Sequence, residues 1–142
     1  MADDGSRFRY LGTGAALAME VTGPTVESCL ARAVEGLGNA VAIVHPSVAC
    51  RTVAVAVHAP GRSPAALLRA VLEAAADRLA NHGEVPLALD GVVRDGATVR
   101  ARLEVAPLSA ARPPSPARAP TWHGVDLHRN GQGWHGVVVA DL

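Results

Sequence analysis

Three side chains near the carboxyl end of the chain have the types and spacing of a metal or acid/base site. Asp126 and His128 alternate on one predicted strand, and His135 lies on the next strand, across a glycine-containing turn at 130–133. Whether the turn contains two residues or four, even-numbered positions of the first strand share a face with odd-numbered positions of the second strand. Carboxylates and imidazoles bind metals and transfer protons. The pattern therefore allows a small metal-dependent enzyme, and it also fits an exposed polar sheet face without a ligand.

No other stretch of the sequence carries a strong catalytic signature. The run Gly12-Thr13-Gly14 lacks the third glycine of a dinucleotide-binding fingerprint and is interpreted as a bend. Cys29 lies in the apolar stripe of a predicted helix, which favours a core residue over a nucleophile. The sequence contains neither a nucleophile elbow nor a phosphate-binding loop. The residues alone therefore indicate no enzyme class.

The composition limits the class of protein and of partner. With 142 residues, 49% of them hydrophobic and 18% charged, we expect one folded domain over 1–142 and exclude a disordered chain. The 13 basic residues are all arginine, and 13 acidic residues balance them. A protein that mainly binds nucleic-acid phosphates or an anionic membrane usually has a basic excess, so neither activity is expected.

The sequence also gives an expectation about location. No apolar run approaches the roughly 18 residues of a transmembrane helix, and the first ten residues do not resemble a secretory signal. Cys29 and Cys50 have no closely spaced cysteine partner. We therefore expect a cytoplasmic protein whose two thiols are reduced.

Apolar periodicity, capping residues and turn signals predict the elements that position these side chains. They are a bent first strand over 8–21, a helix from 26 after the N-cap Thr25, a strand over 52–58, a helix from 64 after Ser63, and hairpins 85–93/98–105 and 122–129/134–142. Residues 1–7 are expected to fray, and 106–120 to form a proline-rich loop. The order predicts an α/β (α+β) two-layer fold, with two helices packed on one face of a mixed β-sheet.

Several segments between Arg9 and Leu142 resemble, in their order and spacing, those of the archease family. They are Tyr10-Leu11 through Glu20, Gly23-Pro24-Thr25-Val26-Glu27-Ser28, Leu67-Leu68 to Leu79, Gly83-Glu84-Val85-Pro86, Arg118-Ala119-Pro120-Thr121-Trp122-His123-Gly124-Val125, Gly133-Trp134 and Val137 to Leu142. Each motif is short, and the specificity comes from the whole series.

The resemblance implies a small cytoplasmic accessory protein with no ligation chemistry of its own. Archeases activate the RNA-splicing ligase that joins a 3′-phosphate end to a 5′-hydroxyl end in tRNA splicing and RNA repair. The ligase is therefore the implied partner. The resemblance also implies a calcium site that includes Asp141 and Leu142. It makes Arg118, at the position of a family lysine, and His123 candidates for partner contact or function.

The sequence departs from the family at the first strand. The family motif His-Thr-Ala-Asp corresponds here to Thr13-Gly14-Ala15-Ala16, so the metal-binding aspartate is replaced by Ala16. A hard cation prefers several oxygen ligands, and losing one carboxylate weakens its site. An alternative hypothesis is therefore a degenerate archease fold that acts as a metal-independent protein-interaction module.

Overall fold

The computed structural model describes residues 4–12, 16–59, 61, 63–112 and 120–142. Within these residues the chain forms nine β-strands, two α-helices and one 3-10 turn. In chain order they are β1 (Arg7–Tyr10), β2 (Ala16–Gly23), α1 (Val26–Val41), β3 (Ile43–Val44), β4 (Arg51–His58), α2 (Pro64–His82), β5 (Glu84–Asp95), β6 (Thr98–Pro107), the 3-10 turn Leu108–Ala110, β7 (Ala111–Arg112), β8 (Thr121–Asn130) and β9 (Gly133–Asp141).

The region 8–21, predicted as one bent strand, contains two antiparallel strands instead. β1 and β2 pair side by side, with Phe8 opposite Val21. The prediction was wrong because apolar residues on both sides of a glycine pair give the same pattern for a bend and for a chain reversal. β1 begins at Arg7, so the last residue of the stretch 1–7 belongs to the sheet rather than to a frayed end.

Thr25 caps α1, as the sequence predicts. Its hydroxyl oxygen accepts a hydrogen bond from the Ser28 backbone N–H at 3.1 Å, and the Ser28 hydroxyl oxygen accepts one from the Thr25 N–H at 3.2 Å. This reciprocal pair satisfies two N–H groups that the first helical turn leaves without helix partners. Glu27 adds a negative charge in the first turn, where the helix dipole favours it.

Two glycines in the second half of α1 let the helix approach its neighbours closely. A Cβ atom on Gly38 would overlap the carbonyl oxygen of Pro86 in β5, and one on Gly36 would overlap the sulfur of Met19 in β2. The hydroxyl of Tyr10 donates a hydrogen bond of 2.6 Å to the Gly36 carbonyl and links β1 to the same helix. Close packing therefore offsets the roughly 1 kcal/mol that each helical glycine costs relative to alanine.

Both ends of α2 confirm the sequence prediction. The Ser63 hydroxyl oxygen accepts a hydrogen bond of 3.1 Å from the Ala66 N–H, and Pro64 occupies the first helical position. Pro64 fits there because that position needs no intrahelical N–H donor. Gly83 ends the helix with φ of +62°, a left-handed conformation that glycine adopts without strain.

The strands form antiparallel pairs throughout the described residues, so the sheet is not mixed as predicted. A four-stranded sheet has the order β1-β2-β9-β8, a three-stranded sheet has the order β4-β6-β5, and β3 pairs with β7. Two neighbouring strands can be parallel only if a crossover connection joins them within one sheet. Here α1 connects the four-stranded sheet to other sheets. α2 connects β4 to β5, but β6 lies between these two strands, so they are not neighbours. The α+β class with two helices packed on sheets is nevertheless confirmed.

The two helices and the two larger sheets share one cluster of buried side chains. α1 contacts β2 and β5, while α2 contacts β8, β5 and β4. The largest fully buried members of the cluster are Met19, Leu30, Leu37, Leu67, Leu68, Leu72 and Leu103. In the described part of the chain, neither helix is both long enough and apolar enough to cross a membrane.

The stretch 106–120, predicted as a proline-rich loop, is partly regular. β6 continues to Pro107, and the chain then passes through the 3-10 turn into β7, which pairs with β3. The Leu108 N–H donates a hydrogen bond of 2.8 Å to the Gly83 carbonyl. The loop prediction is therefore wrong up to residue 112, because ladder pairing outweighs a single proline at the end of a strand. Residues 113–119 lie outside the described part of the chain.

Candidate functional site

The four-stranded sheet has a solvent-exposed face opposite the helices, called the outer face below. Strand register places on it Arg9, Glu20, Asp126, His128, His135, Val137, Val139 and Asp141. The alternate residues Val138 and Ala140 are completely buried, whereas Val137 and Val139 are partly exposed. The predicted common face of Asp126, His128 and His135 is therefore confirmed.

At one end of the outer face, His123 and Asp141 form a hydrogen-bonded pair. The β8–β9 register shifts between Trp122 and Gly124, so His123 is the extra residue of a bulge. A bulge redirects a side chain, and here His123 Nε2 lies 2.7 Å from Asp141 Oδ2. An ionised carboxylate only accepts hydrogen bonds, so Nε2 carries the proton. The two side chains are 51% and 61% exposed, which leaves the pair accessible to a partner.

The residues around Asp141 do not fit the calcium site that the resemblance implies. Ala16 is the direct strand partner of Asp141 in the β2–β9 register, and an alanine supplies no oxygen ligand from its side chain. Calcium takes about six to eight oxygen ligands. The described residues contain no group of three His, Cys, Asp or Glu side chains that could hold a metal ion. One Asp141 oxygen also accepts the hydrogen bond from His123.

The other positions assigned by resemblance are only partly described. Leu142 follows Asp141 beyond the end of β9 and is 38% exposed. Arg118 and Thr13 lie outside the described residues, so the proposed role of Arg118 stays a prediction.

On the same face, directly opposite Val137, Glu20 links three strands. Its Oε1 accepts a hydrogen bond of 3.0 Å from Arg9 on β1, and its Oε2 lies 2.9 Å from His135 Nε2 on β9. The hydrogen bond from His135, together with the charge of Arg9, outweighs partial desolvation and holds the pKa of Glu20 below its usual range.

Sequence reasoning did not single out Glu20 or Arg9, because the pairing of β1 with β2 was not predicted. The sequence did carry a signal: Glu20 is a lone acid between the apolar residues Met19 and Val21, both of which are completely buried in the structure. A lone acid alternating with buried side chains indicates the exposed face of a strand.

His128 and His135 are direct strand partners on β8 and β9. Their ring centroids lie 5.3 Å apart with a 56° angle between the planes. His128 Nδ1 lies 2.8 Å from Asp126 Oδ2, so Nδ1 donates to that carboxylate. The structure thus brings the predicted cluster together, but not as three ligands of one metal ion, since no such group exists among the described residues.

Cys29 is a core residue, as predicted. It is completely buried, and burial raises the pKa of its thiol to about 11. Little thiolate therefore forms at neutral pH, and the thiolate is the nucleophilic form. This excludes Cys29 from the candidate site.

Comparisons with known proteins agree with this architecture. A model of the Archease protein family (MTH1598/TM1083) matches residues 8–142. No curated protein matches the chain. Among solved structures, the fold is similar to the solution structure of Methanobacterium thermoautotrophicum protein 1598, with a TM-score of 0.57 and 13% sequence identity. That alignment covers 95% of this chain and 98% of the other. Because the family match spans nearly the whole sequence, this chain belongs to the archease family.

Proposed function

We propose that this protein is a non-catalytic accessory protein that activates an RNA-splicing ligase. The ligase joins a 3′-phosphate RNA end to a 5′-hydroxyl end, and the proposed role is to speed its guanylylation and turnover. The observation that carries the proposal is the family match over residues 8–142. The proposal places the protein in the cytoplasm, where its two free cysteines would stay reduced.

The chemistry of the outer face supports a contact role. Three imidazoles on this sheet, those of His123, His128 and His135, are each hydrogen-bonded to a carboxylate. Exposed polar pairs at the ends of a sheet offer hydrogen-bonding groups to a partner protein. The balanced formal charge of the chain agrees with a protein that leaves RNA binding to the ligase.

We propose that the ligase contacts the end of the outer face that carries the His123–Asp141 pair. Both side chains are more than half exposed, and the bulge holds His123 against the last residue of β9. A rigid sheet edge fixes the position of these groups better than a loop would. In this proposal the pair forms hydrogen bonds with a segment of the ligase. No step requires a calcium ion.

A ligation time course tests this function. The RNA-splicing ligase of the same organism is assayed with GTP, its metal and RNA that provides a 3′-phosphate end and a 5′-hydroxyl end, with and without this protein. We expect faster formation of the guanylylated ligase and many turnovers where the ligase alone performs few. The proposal fails if the ligation rate is unchanged, whether or not the two proteins form a complex.

A second candidate function is a metal-independent interaction module. Ala16 opposite Asp141 favours it, because the strand partner carries no metal-binding carboxylate. This candidate predicts a stable complex with the ligase without acceleration of ligation. Measuring binding and rate in the same experiment separates the two candidates.

A further inference from the structure

His128 and His135 place two imidazoles side by side on neighbouring strands, away from the Asp141 end of the sheet. They are direct register partners, and their centroids are 5.3 Å apart. A zinc–nitrogen distance of about 2.1 Å and a tetrahedral angle would put two imidazole centroids about 5.2 Å apart. The observed spacing therefore matches that of two histidines sharing one metal ion.

The carboxylates next to the histidines orient the rings. Asp126 accepts from His128 Nδ1, and Glu20 accepts from His135 Nε2. In the neutral imidazole, the nitrogen not bonded to a carboxylate keeps its lone pair, which leaves His128 Nε2 and His135 Nδ1 as possible ligands. Metal-binding histidines commonly donate their other ring nitrogen to such a carboxylate.

We propose that His128 and His135 form a two-imidazole site for a borderline transition-metal ion such as Zn²⁺, Ni²⁺ or Cu²⁺. Asp126 and Glu20 act as orienting groups rather than ligands, which agrees with the absence of a three-residue metal group in the described part of the chain. Water or a group from a partner completes the coordination. Imidazole nitrogens suit these ions, whereas calcium prefers oxygen.

The site is accessible from solvent. The His128 side chain is 53% exposed and that of His135 is 23% exposed, so an ion can reach both rings from solvent. Two protein ligands give a weaker, exchangeable site than the four of a structural zinc site. This inference does not depend on the proposed ligase function.

Isothermal titration calorimetry of the full chain, without a histidine tag, tests the proposal. We expect one Zn²⁺ per molecule, loss of measurable binding in His128→Ala and in His135→Ala, and an affinity at least about tenfold lower in Asp126→Asn. Cu²⁺ spectra of the wild type should show two nitrogen ligands. Thermal unfolding of each variant confirms that it remains folded.

Matched variants locate the site. His45→Ala and His58→Ala remove exposed histidines outside the four-stranded sheet, and Asp141→Asn alters its other end. All three should bind Zn²⁺ as the wild type does. Unchanged binding in folded His128→Ala, loss of binding in one of the three controls, or no Zn²⁺ binding by the wild type would overturn the inference.

Discussion

Ala16 of β2 is the direct cross-strand partner of Asp141, the last residue of β9. Directly opposed residues on antiparallel strands have Cβ atoms about 5 Å apart. A carboxylate at position 16 would therefore be a close neighbour of the Asp141 carboxylate. The pairing gives a structural reason to expect that Ala16 weakens the metal site that the family pattern implies.

The first prediction follows from this pairing. Ala16→Asp supplies a second carboxylate next to Asp141, and we expect it to bind calcium at least tenfold more tightly than the wild type. Calorimetric titration with calcium measures the change. Ala18→Asp is the matched control, because its strand partner is Val139 rather than an acid. Equal calcium affinity in Ala16→Asp and the wild type would contradict the prediction.

The second prediction concerns the His123–Asp141 pair. Asp141→Asn and His123→Ala should each abolish most of the ligase acceleration while changing the free energy of unfolding by less than about 1 kcal/mol, because both side chains are exposed. Ligation assays and urea unfolding give the two values. Glu73→Gln, which alters an exposed pair with Arg69 on α2, should leave both unchanged. Full acceleration in Asp141→Asn would exclude the pair from the contact.

The third prediction tests the close approach of α1 to β5. Gly38→Ala should lower the free energy of unfolding by about 2 kcal/mol, because the added Cβ overlaps the Pro86 carbonyl oxygen. Helix propensity alone predicts the opposite sign. Asn39→Ala, at the exposed neighbouring position, should be neutral or slightly stabilising. Urea unfolding distinguishes the two effects.

The fourth prediction concerns acid stability. Partial burial would raise the pKa of Glu84, but hydrogen bonds and charges from Arg78 and Arg51 outweigh it and hold the pKa below its usual range. The stabilisation is therefore complete above the unfolded pKa of about 4.3 and is lost as the pH falls through the lower folded value. Glu84→Gln should cost about 1 kcal/mol at pH 7.

Urea unfolding of the wild type and Glu84→Gln across the acid range measures this loss. The difference in unfolding free energy between them should shrink towards zero as the pH falls below the usual glutamate range. A difference that stays constant with pH would show that ionisation of Glu84 contributes nothing.

The fifth prediction concerns the two thiols. Burial raises the pKa of Cys29 to about 11, while Cys50 is exposed. A thiol reagent at pH 8 should therefore modify one cysteine in the folded protein and two in urea. Cys50→Ala should react only after unfolding. Rapid modification of folded Cys50→Ala would show that the core opens around Cys29.

Local signals in the sequence predicted most of the elements. Thr25, Ser63 and Gly83 cap helix ends through contacts within one helical turn. Their roles could therefore be predicted without knowledge of the fold. The same holds for the last hairpin, where alternation alone placed Asp126, His128 and His135 on one face. Such short-range constraints do not depend on which strands become neighbours.

Pairings between distant strands could not be predicted in this way. Glu20 contacts His135 only because β2 pairs with β9, and no periodicity within either strand specifies that pairing. The contact of His123 with Asp141 depends on a bulge, which shifts a side chain by one register position. The sequence reasoning therefore found the polar residues of the hairpin but missed Glu20 on β2, the partner of His135, and Arg9 on β1, which contacts Glu20.

Along β9, residues of the core and residues of the outer face alternate one by one. Val138 and Ala140 are completely buried, while His135, Val137 and Asp141 face outward. A slip of this strand by one residue would bury Asp141 and expose Val138, because strand side chains have a period of two. A misregistered molecule would therefore lose its outward-facing polar groups together with its core. A ligase that requires the His123–Asp141 pair would consequently engage only correctly folded copies.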